Sequence, residues 1–399
     1  MPPVLDYPGA MKTLRRFCSL IIMLSAPLAL FAVRDREAAS PGKTYRAYVG
    51  TYTAKTNSKG IYEFDFDPAT GKMSVVEVAA DTKDPSWVVV HPNGKFLYAV
   101  NETGKASTVS AFAIEAKSGK LTLLNEVPAQ GEDPCHLSFD RTGKFLFVAN
   151  YTSGTVAVFP ILADGKLGEH AGIEQDTGTL GPNKERQEAS HAHFVTPSDD
   201  NRSVYVSDLG LDRVMIYKFD AAEGALSPAS GSVHQAAVLE PGTGPRHLAL
   251  SKDRSYMYVL GELKSTVTVF AVKNEEQFAA IQSVHMLRAG FSGRNDAAEI
   301  AIDPSGKFLY ASNRGHDSIV VYSIHPRRGT LKKVAAVRTG GKEPRSFAID
   351  PSGKFLLAEN QLSNTIVEFR IDRATGKLTP TGEILSVPSP VCVTFLPLH

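Results

Sequence analysis

The sequence predicts an all-β chain: a seven-bladed β-propeller with four antiparallel strands per blade, its ring closed by pairing of the C-terminal strand with the N-terminal blade. Three observations predict this. A turn motif recurs at intervals near fifty residues, each interval carries four strand-like segments, and the first interval lacks a strand that the C-terminus supplies.

The recurrence is explicit. His91-Pro92-Asn93-Gly94-Lys95-Phe96 returns as Asp140-Arg141-Thr142-Gly143-Lys144-Phe145, again from Asp303 to Phe308, and again from Asp350 to Phe355. Degenerate copies begin near Thr196 and Ser251. Gly94 and Gly143 lie 49 positions apart, and Gly306 and Gly353 lie 47 apart, a period too long for most helical repeats. In each copy a short apolar run meets the turn, where Pro presets φ and Gly takes the positive φ that closes a hairpin. A second strand follows, as at Phe355-Leu356-Leu357-Ala358, then a third of alternating character and a fourth beyond another turn. Residues 45–79 carry second, third and fourth strands with no first. Pro388-Ser389-Pro390-Val391-Cys392-Val393 repeats the pattern of Pro85-Ser86-Trp87-Val88-Val89-Val90, so it supplies the missing strand. Six full copies and this composite make seven, and pairing removes two raw edges.

Residues 41–399 are therefore read as the propeller, and residues 1–40 as a leader and linker. Lys12, Arg15 and Arg16 precede an uncharged run, residues 17–32, that contains Pro27 and ends in Ala32. A basic stretch, a short apolar stretch and a small residue read as a signal peptide starting at Met11, too short for a comfortable membrane span. A periplasmic or secreted protein is expected, with no membrane attachment beyond the leader; an unused leader leaves the chain in the cytoplasm. Forty-three basic residues against forty-two acidic ones give a net charge of +1, which excludes a global field for nucleic acid. Of three cysteines, Cys18 lies in the leader, and Cys135 and Cys392 read as small apolar strand positions. Their spacing fits no metal site, so no metal or other cofactor is expected.

Topology then locates the polar residues. In a blade the first strand runs from one face to the other and the second returns, so first-strand starts and second-strand ends share a face. First-strand starts hold His136, His191, His193, Arg246, His247, Glu299 and Arg345. Second-strand ends hold Asn101, Glu102, Asn150, Tyr151, Asp208, Glu262, Asn313, Arg314, His316, Asn360 and Gln361. The opposite face carries turn chemistry alone. Counting from the turns sets Arg246 opposite Gly261-Glu262, Arg345 opposite Asn360 and His191 opposite Asp208. An axial funnel of Arg, His, Glu and Asn suits a small polar, anionic ligand, although an Arg246–Glu262 pair would equally serve as a strand-to-strand ion pair. His91 and His234 fall outside the face and read as surface residues.

At these residues the chain resembles the bacterial propeller lactonases, the 6-phosphogluconolactonase family. The resemblance is carried by Ala189-Ser190-His191-Ala192-His193, Asp208-Leu209-Gly210-Leu211-Asp212-Arg213-Val214, Gly244-Pro245-Arg246-His247-Leu248, Ala298-Glu299-Ile300, Ser312-Asn313-Arg314-Gly315-His316 and Pro344-Arg345-Ser346-Phe347. It spans about residues 45–397 and implies metal-free hydrolysis of 6-phosphogluconolactone by a monomeric enzyme. A fungal carboxymuconate cyclase of the same fold forms a lactone instead. The chain departs from the family at Ala301-Ile302-Asp303, where a His-Val-Ser run is common, and in its leader, which favours an unphosphorylated sugar lactone. No Gly-x-Ser-x-Gly elbow occurs, so direct attack by water is expected rather than an acyl-enzyme. Arg246, Glu262 and His193 are the expected catalytic residues, with Glu262 preferred as base. His191, Asp208, His247, Glu299, Asn313, Arg314, Arg345 and Asn360 are expected to bind substrate. The competing reading from another class is a non-enzymatic periplasmic or surface propeller that only binds.

Overall fold

A computed structural model describes residues 44–229, 236–274 and 277–398. The expected leader and His234 lie outside the described residues. Among the described residues, seven antiparallel sheets form the blades of a β-propeller. In the N-terminal blade the order from the axis outward is Pro390–Pro397, Tyr45–Thr51, Gly60–Phe66 and Glu77–Asp81, so the C-terminal strand is innermost in the first blade. The pairing runs from Tyr45↔Pro397 to Thr51↔Pro390. One blade departs from four strands: both Ala225–Pro228 and the short Ala236–Val238 pair with Arg213–Asp220, so its outer strand is split in two. Among the described residues no helix is long and apolar enough to cross a membrane.

The repeated motif explains itself in hydrogen bonds. Asp350 accepts at Oδ1 from the main-chain N–H of Lys354 and Phe355 (2.8 and 2.7 Å) and at Oδ2 from Ser352 N–H (2.8 Å). Asp303 and Asp140 do the same in their own turns. Gly353 stands at φ 69°, a conformation that costs a side-chain-bearing residue strain. His91 replaces the Asp of this motif. It is more than a surface residue, because its Nε2 lies 2.8 Å from Gly143 O in the turn of the next blade.

Blades are fastened to one another at the second strand. The hydroxyls of Tyr48, Tyr98, Tyr258 and Tyr310 donate to the carbonyls of Gly119, Gly165, Gly329 and Gly376, each in the following blade. All four tyrosines are fully buried, so each hydrogen bond satisfies a polar group that would otherwise be costly. Apolar clusters fill each blade-to-blade interface, such as Tyr98, Val100, Val109 and Ala111 against Leu146, Val148 and Phe159.

Candidate active site

Besides the C-terminal strand, which slips at apolar Val391, five inner strands carry a β-bulge. The ladder slips between Pro134 and His136, Ala192 and Phe194, Pro245 and Leu248, Ala297 and Ile300, and Pro344 and Ser346. A bulge sets two residues against one and re-aims a side chain. The residues caught in the slips are Cys135, His193, Arg246 with His247, Ala298 with Glu299, and Arg345. The propeller axis therefore receives its chemistry at its irregular positions. The slips also move the expected pairings by one: Pro344, not Arg345, faces Asn360, and Pro245 faces Gly261.

A second ring comes from the ends of the second strands: Arg314 closes its strand, and Tyr52, Glu102, Tyr151, Glu262 and Gln361 directly follow theirs. Glu262 is the hub. Its Oε1 meets Arg186 Nη2 at 2.5 Å, and its Oε2 meets Arg246 Nε at 3.1 Å and Arg314 Nη2 at 3.0 Å. Burial pushes the Glu262 carboxyl up, but these three guanidinium groups outweigh it and bring the carboxyl down to about 2. Arg314 also donates to the carbonyls of Asp296 and Ala297, and Arg246 Nη1 to that of Ala298. Arg345 Nη2 donates to Tyr52 Oη (2.9 Å), and the Tyr52 hydroxyl donates to Glu102 (2.7 Å). Four arginines thus crowd one funnel, three of them on the single carboxylate of Glu262, and the crowding shows at Arg246. Burial, then Arg314 and Arg345, pull its guanidinium down to about 10 despite Glu262.

Three imidazoles meet edge to face among the inner strands. The His193 and His247 ring centres are 5.3 Å apart, and those of His136 and His247 are 5.4 Å apart, with Trp87 against both His136 and His247. Burial holds all three well below the usual histidine range; for His193 the nearby Arg246 adds most to this. They are neutral at pH 7. His247 Nδ1 lies 3.0 Å from the carboxylate of Glu299, which also accepts from Ser346 Oγ (3.2 Å). Burial raises the Glu299 carboxyl to about 7. Below it lies Glu359, wholly buried, with neither oxygen hydrogen bonded.

The structure therefore brings His193, Arg246, His247, Glu262, Glu299, Arg314 and Arg345 together in one funnel. Four other expected residues do not face it. Asn360 is fully buried, and its amide donates to Thr339 O, tying down a crossing between blades. Asn313 is equally buried and exchanges hydrogen bonds with Asn295 and Ser318. Asp208 accepts from the main-chain N–H of His191 (3.0 Å) and Leu211 (2.9 Å), not from the imidazole, and its second contact is the buried Asp176 carboxyl. His191 stacks behind Tyr151 at 4.5 Å, with Nδ1 on Tyr151 O and Nε2 on Glu188. Of the wider face, His316 is turned away to Ser318 Oγ.

Four site residues escaped the sequence reading. Arg186 comes from the long polar segment 176–191 between blades, and segments of that length without strand pattern are commonly functional. Tyr52 is the second-strand end of the composite blade. Glu359 breaks an apolar strand where the other copies have the uncharged Val100, Ala149, Ser207, Leu260 and Ser312, a visible signal. Cys135 was read as a core position, yet its thiol faces the funnel, 3.6 Å from His193 Nδ1, with burial and Glu102 holding it protonated.

A bulge-built funnel of arginines around buried imidazoles on a seven-bladed propeller sets the class of protein by its architecture. A family model described as lactonase, 7-bladed β-propeller, matches residues 46–395, and the chain belongs to that family. It is 38% identical over 353 residues to the 6-phosphogluconolactonase of Bacillus subtilis, covering 88% of this chain and 98% of that protein. It is also 38% identical over 307 residues to the 6-phosphogluconolactonase of Formosa agariphila, covering 75% of this chain and 84% of the other. The structure of the periplasmic gluconolactonase of Pseudomonas aeruginosa superposes with a TM-score of 0.83 at 32% identity, covering 89% of this chain and all of that one. Among the described residues no group of three or more His, Cys, Asp or Glu side chains is arranged to hold a metal ion.

Proposed function

We propose that the chain hydrolyses the δ-lactone of a sugar acid by direct attack of water in this funnel, without a metal ion. The observation that carries the reading is the convergence of buried guanidinium groups, three of them on Glu262, beside the neutral imidazole of His193. A lactone carbonyl develops negative charge as it is attacked, and its product is a carboxylate; both match buried, fixed donors. Arg345 and the Nη2 of Arg246 are assigned to the carbonyl oxygen.

His193 is assigned as the base in preference to Glu262. A carboxylate with a pKa near 2 is a poor acceptor for a water proton, whereas a neutral imidazole is ready at pH 7. The water oxygen bonds to the carbonyl carbon as His193 takes one of its protons. The acyl carbon–ring oxygen bond then breaks with its electron pair on the ring oxygen, which receives that proton from the imidazolium. The new carboxylic acid releases one proton to solvent. Glu262 positions Arg186, Arg246 and Arg314 and touches no reacting atom in this scheme.

The pH profile separates the two assignments. Because burial and Arg246 lower the His193 pKa, its active neutral form persists as pH falls through the range where an ordinary imidazole is protonated, so kcat/KM should decline only in more acid solution than a free histidine would give. His193→Gln should lower kcat by about 10²–10⁴-fold and remove that acid limb. Glu262→Gln should lower kcat while keeping the limb. An acid limb that survives in His193→Gln and vanishes in Glu262→Gln would return the base to Glu262.

A further inference from the structure

Beside the funnel a groove of about 1010 Å³ opens between the first and last blades, and Tyr52, Glu102 and Arg345 line both. That volume stands at the top of the range of roughly 300–1,000 Å³ that drug-sized ligands occupy, more than one six-carbon lactone fills. Its further walls include Asn57, Gln361 and the exposed Leu362, whose side chains enter none of the hydrogen bonds or core clusters among the described residues. The loop bearing Asn57 is fixed from below, since Asp84 Oδ1 accepts from the main-chain N–H of Thr53 and Ala54 (2.7 and 2.9 Å).

Resting on the lactonase reading above, we propose that this groove is a subsite for a glycosyl substituent, so that the enzyme acts on lactones of oxidised disaccharides. Amide side chains serve neutral hydroxyls as donors and acceptors at once. Leu362 and the face of Tyr52 offer apolar surface to the C–H face of a sugar ring. The Tyr52 ring is held in place by Arg345, whose guanidinium carbon lies 5.2 Å from the ring centre. The chemistry disfavours a phosphate there. Beyond Arg345 the groove adds one cation among its lining residues, the exposed Lys55, and a dianion calls for several buried donors. Such a lactone arises from oxidation at the reducing end of a disaccharide, and its hydrolysis yields the glycosylated aldonate by the balance given above. The glycosyl group enters no bond change.

The test measures kcat/KM on glucono-δ-lactone, its 6-phosphate and a 4-O-glycosyl gluconolactone, for the parent chain, Leu362→Trp and Gln361→Ala. The parent should prefer the glycosylated lactone over glucono-δ-lactone by about tenfold, what one to two extra hydrogen bonds supply. Leu362→Trp, which fills the groove, should erase most of that preference through KM, and Gln361→Ala should reduce it severalfold. Equal turnover of glycosylated and plain lactone by the parent overturns the subsite, as does a Leu362→Trp that slows all three substrates alike. A preference for the 6-phosphate that Lys55→Ala abolishes also overturns it. Failure on every lactone instead removes the lactonase reading on which the subsite rests.

Discussion

Removing residues 388–399 should abolish cooperative folding. The deletion strips the first blade of its inner strand and leaves the axis-facing edge of Tyr45–Thr51 without a partner along its whole length. It also removes Cys392, which packs with Tyr48, Val88, Leu97 and Phe112 at the junction of the first two blades. Val88 N–H donates to Cys392 Sγ (3.3 Å), Tyr52 N–H to Ser389 O and Leu398 N–H to Thr44 O, so the Val88 and Tyr52 donors and the Thr44 carbonyl all lose partners. Packing there leaves no slack: a Cβ on Gly50 would stand 2.7 Å from Cys392 Sγ and 2.5 Å from Pro85 O. Opening the ring exposes two strand edges, which invite intermolecular pairing. Thermal melting followed by circular dichroism checks this. The truncated chain should show a broad or absent transition and aggregate, whereas one sharp transition near the parent temperature would mean that the ring does not depend on this closure.

Arg246→Lys should lower kcat by about 10²–10³-fold, the size of a lost oxyanion donor. The guanidinium does three things at once: Nε meets Glu262, Nη1 donates to Ala298 O, and Nη2 is left for the substrate. A lysine keeps the charge but is a point donor without the planar fork, so it serves Glu262 or the carbonyl oxygen and not both. The loss should fall on kcat more than on KM, the mark of an interaction made in the transition state. Kinetics on the variant, after its melting is matched to the parent, decide the matter. A kcat/KM within threefold of the parent would reduce Arg246–Glu262 to an ion pair joining neighbouring strands.

The architecture was legible because the repeat is dictated by turn chemistry. An Asp whose carboxylate caps three main-chain N–H groups, followed by a left-handed Gly, has few substitutes, so Asp350, Asp303 and Asp140 stand out in the text. The shared face was legible for a simpler reason, since antiparallel order alone decides which strand ends meet. Bulges were not. An extra residue at His193 or Arg345 leaves the apolar alternation of its strand nearly intact, so counting from the turn sets Arg345 against Asn360 when Pro344 stands there. The same counting could not tell an Asn that lines a funnel from one that ties a crossing loop, which is how Asn313 and Asn360 entered the expected site. Arg186 was invisible for want of any register, because no strand pattern fixes where its segment lies. Glu262 was found by position and with Arg246 beside it, but Arg186 and Arg314 on the same carboxylate were not, because only the structure brings them within reach.

The measurement that tests the account most directly is the initial rate of opening of glucono-δ-lactone by the purified 41–399 chain. Proton release is followed in weak buffer near pH 7 with a chelator present, and the spontaneous rate is subtracted. The account predicts saturable acceleration that the chelator does not diminish and that Arg246→Lys largely removes. A rate equal to the spontaneous one for this lactone, its 6-phosphate and its glycosylated form would contradict it and leave the funnel as a site that binds an anion without turning it over.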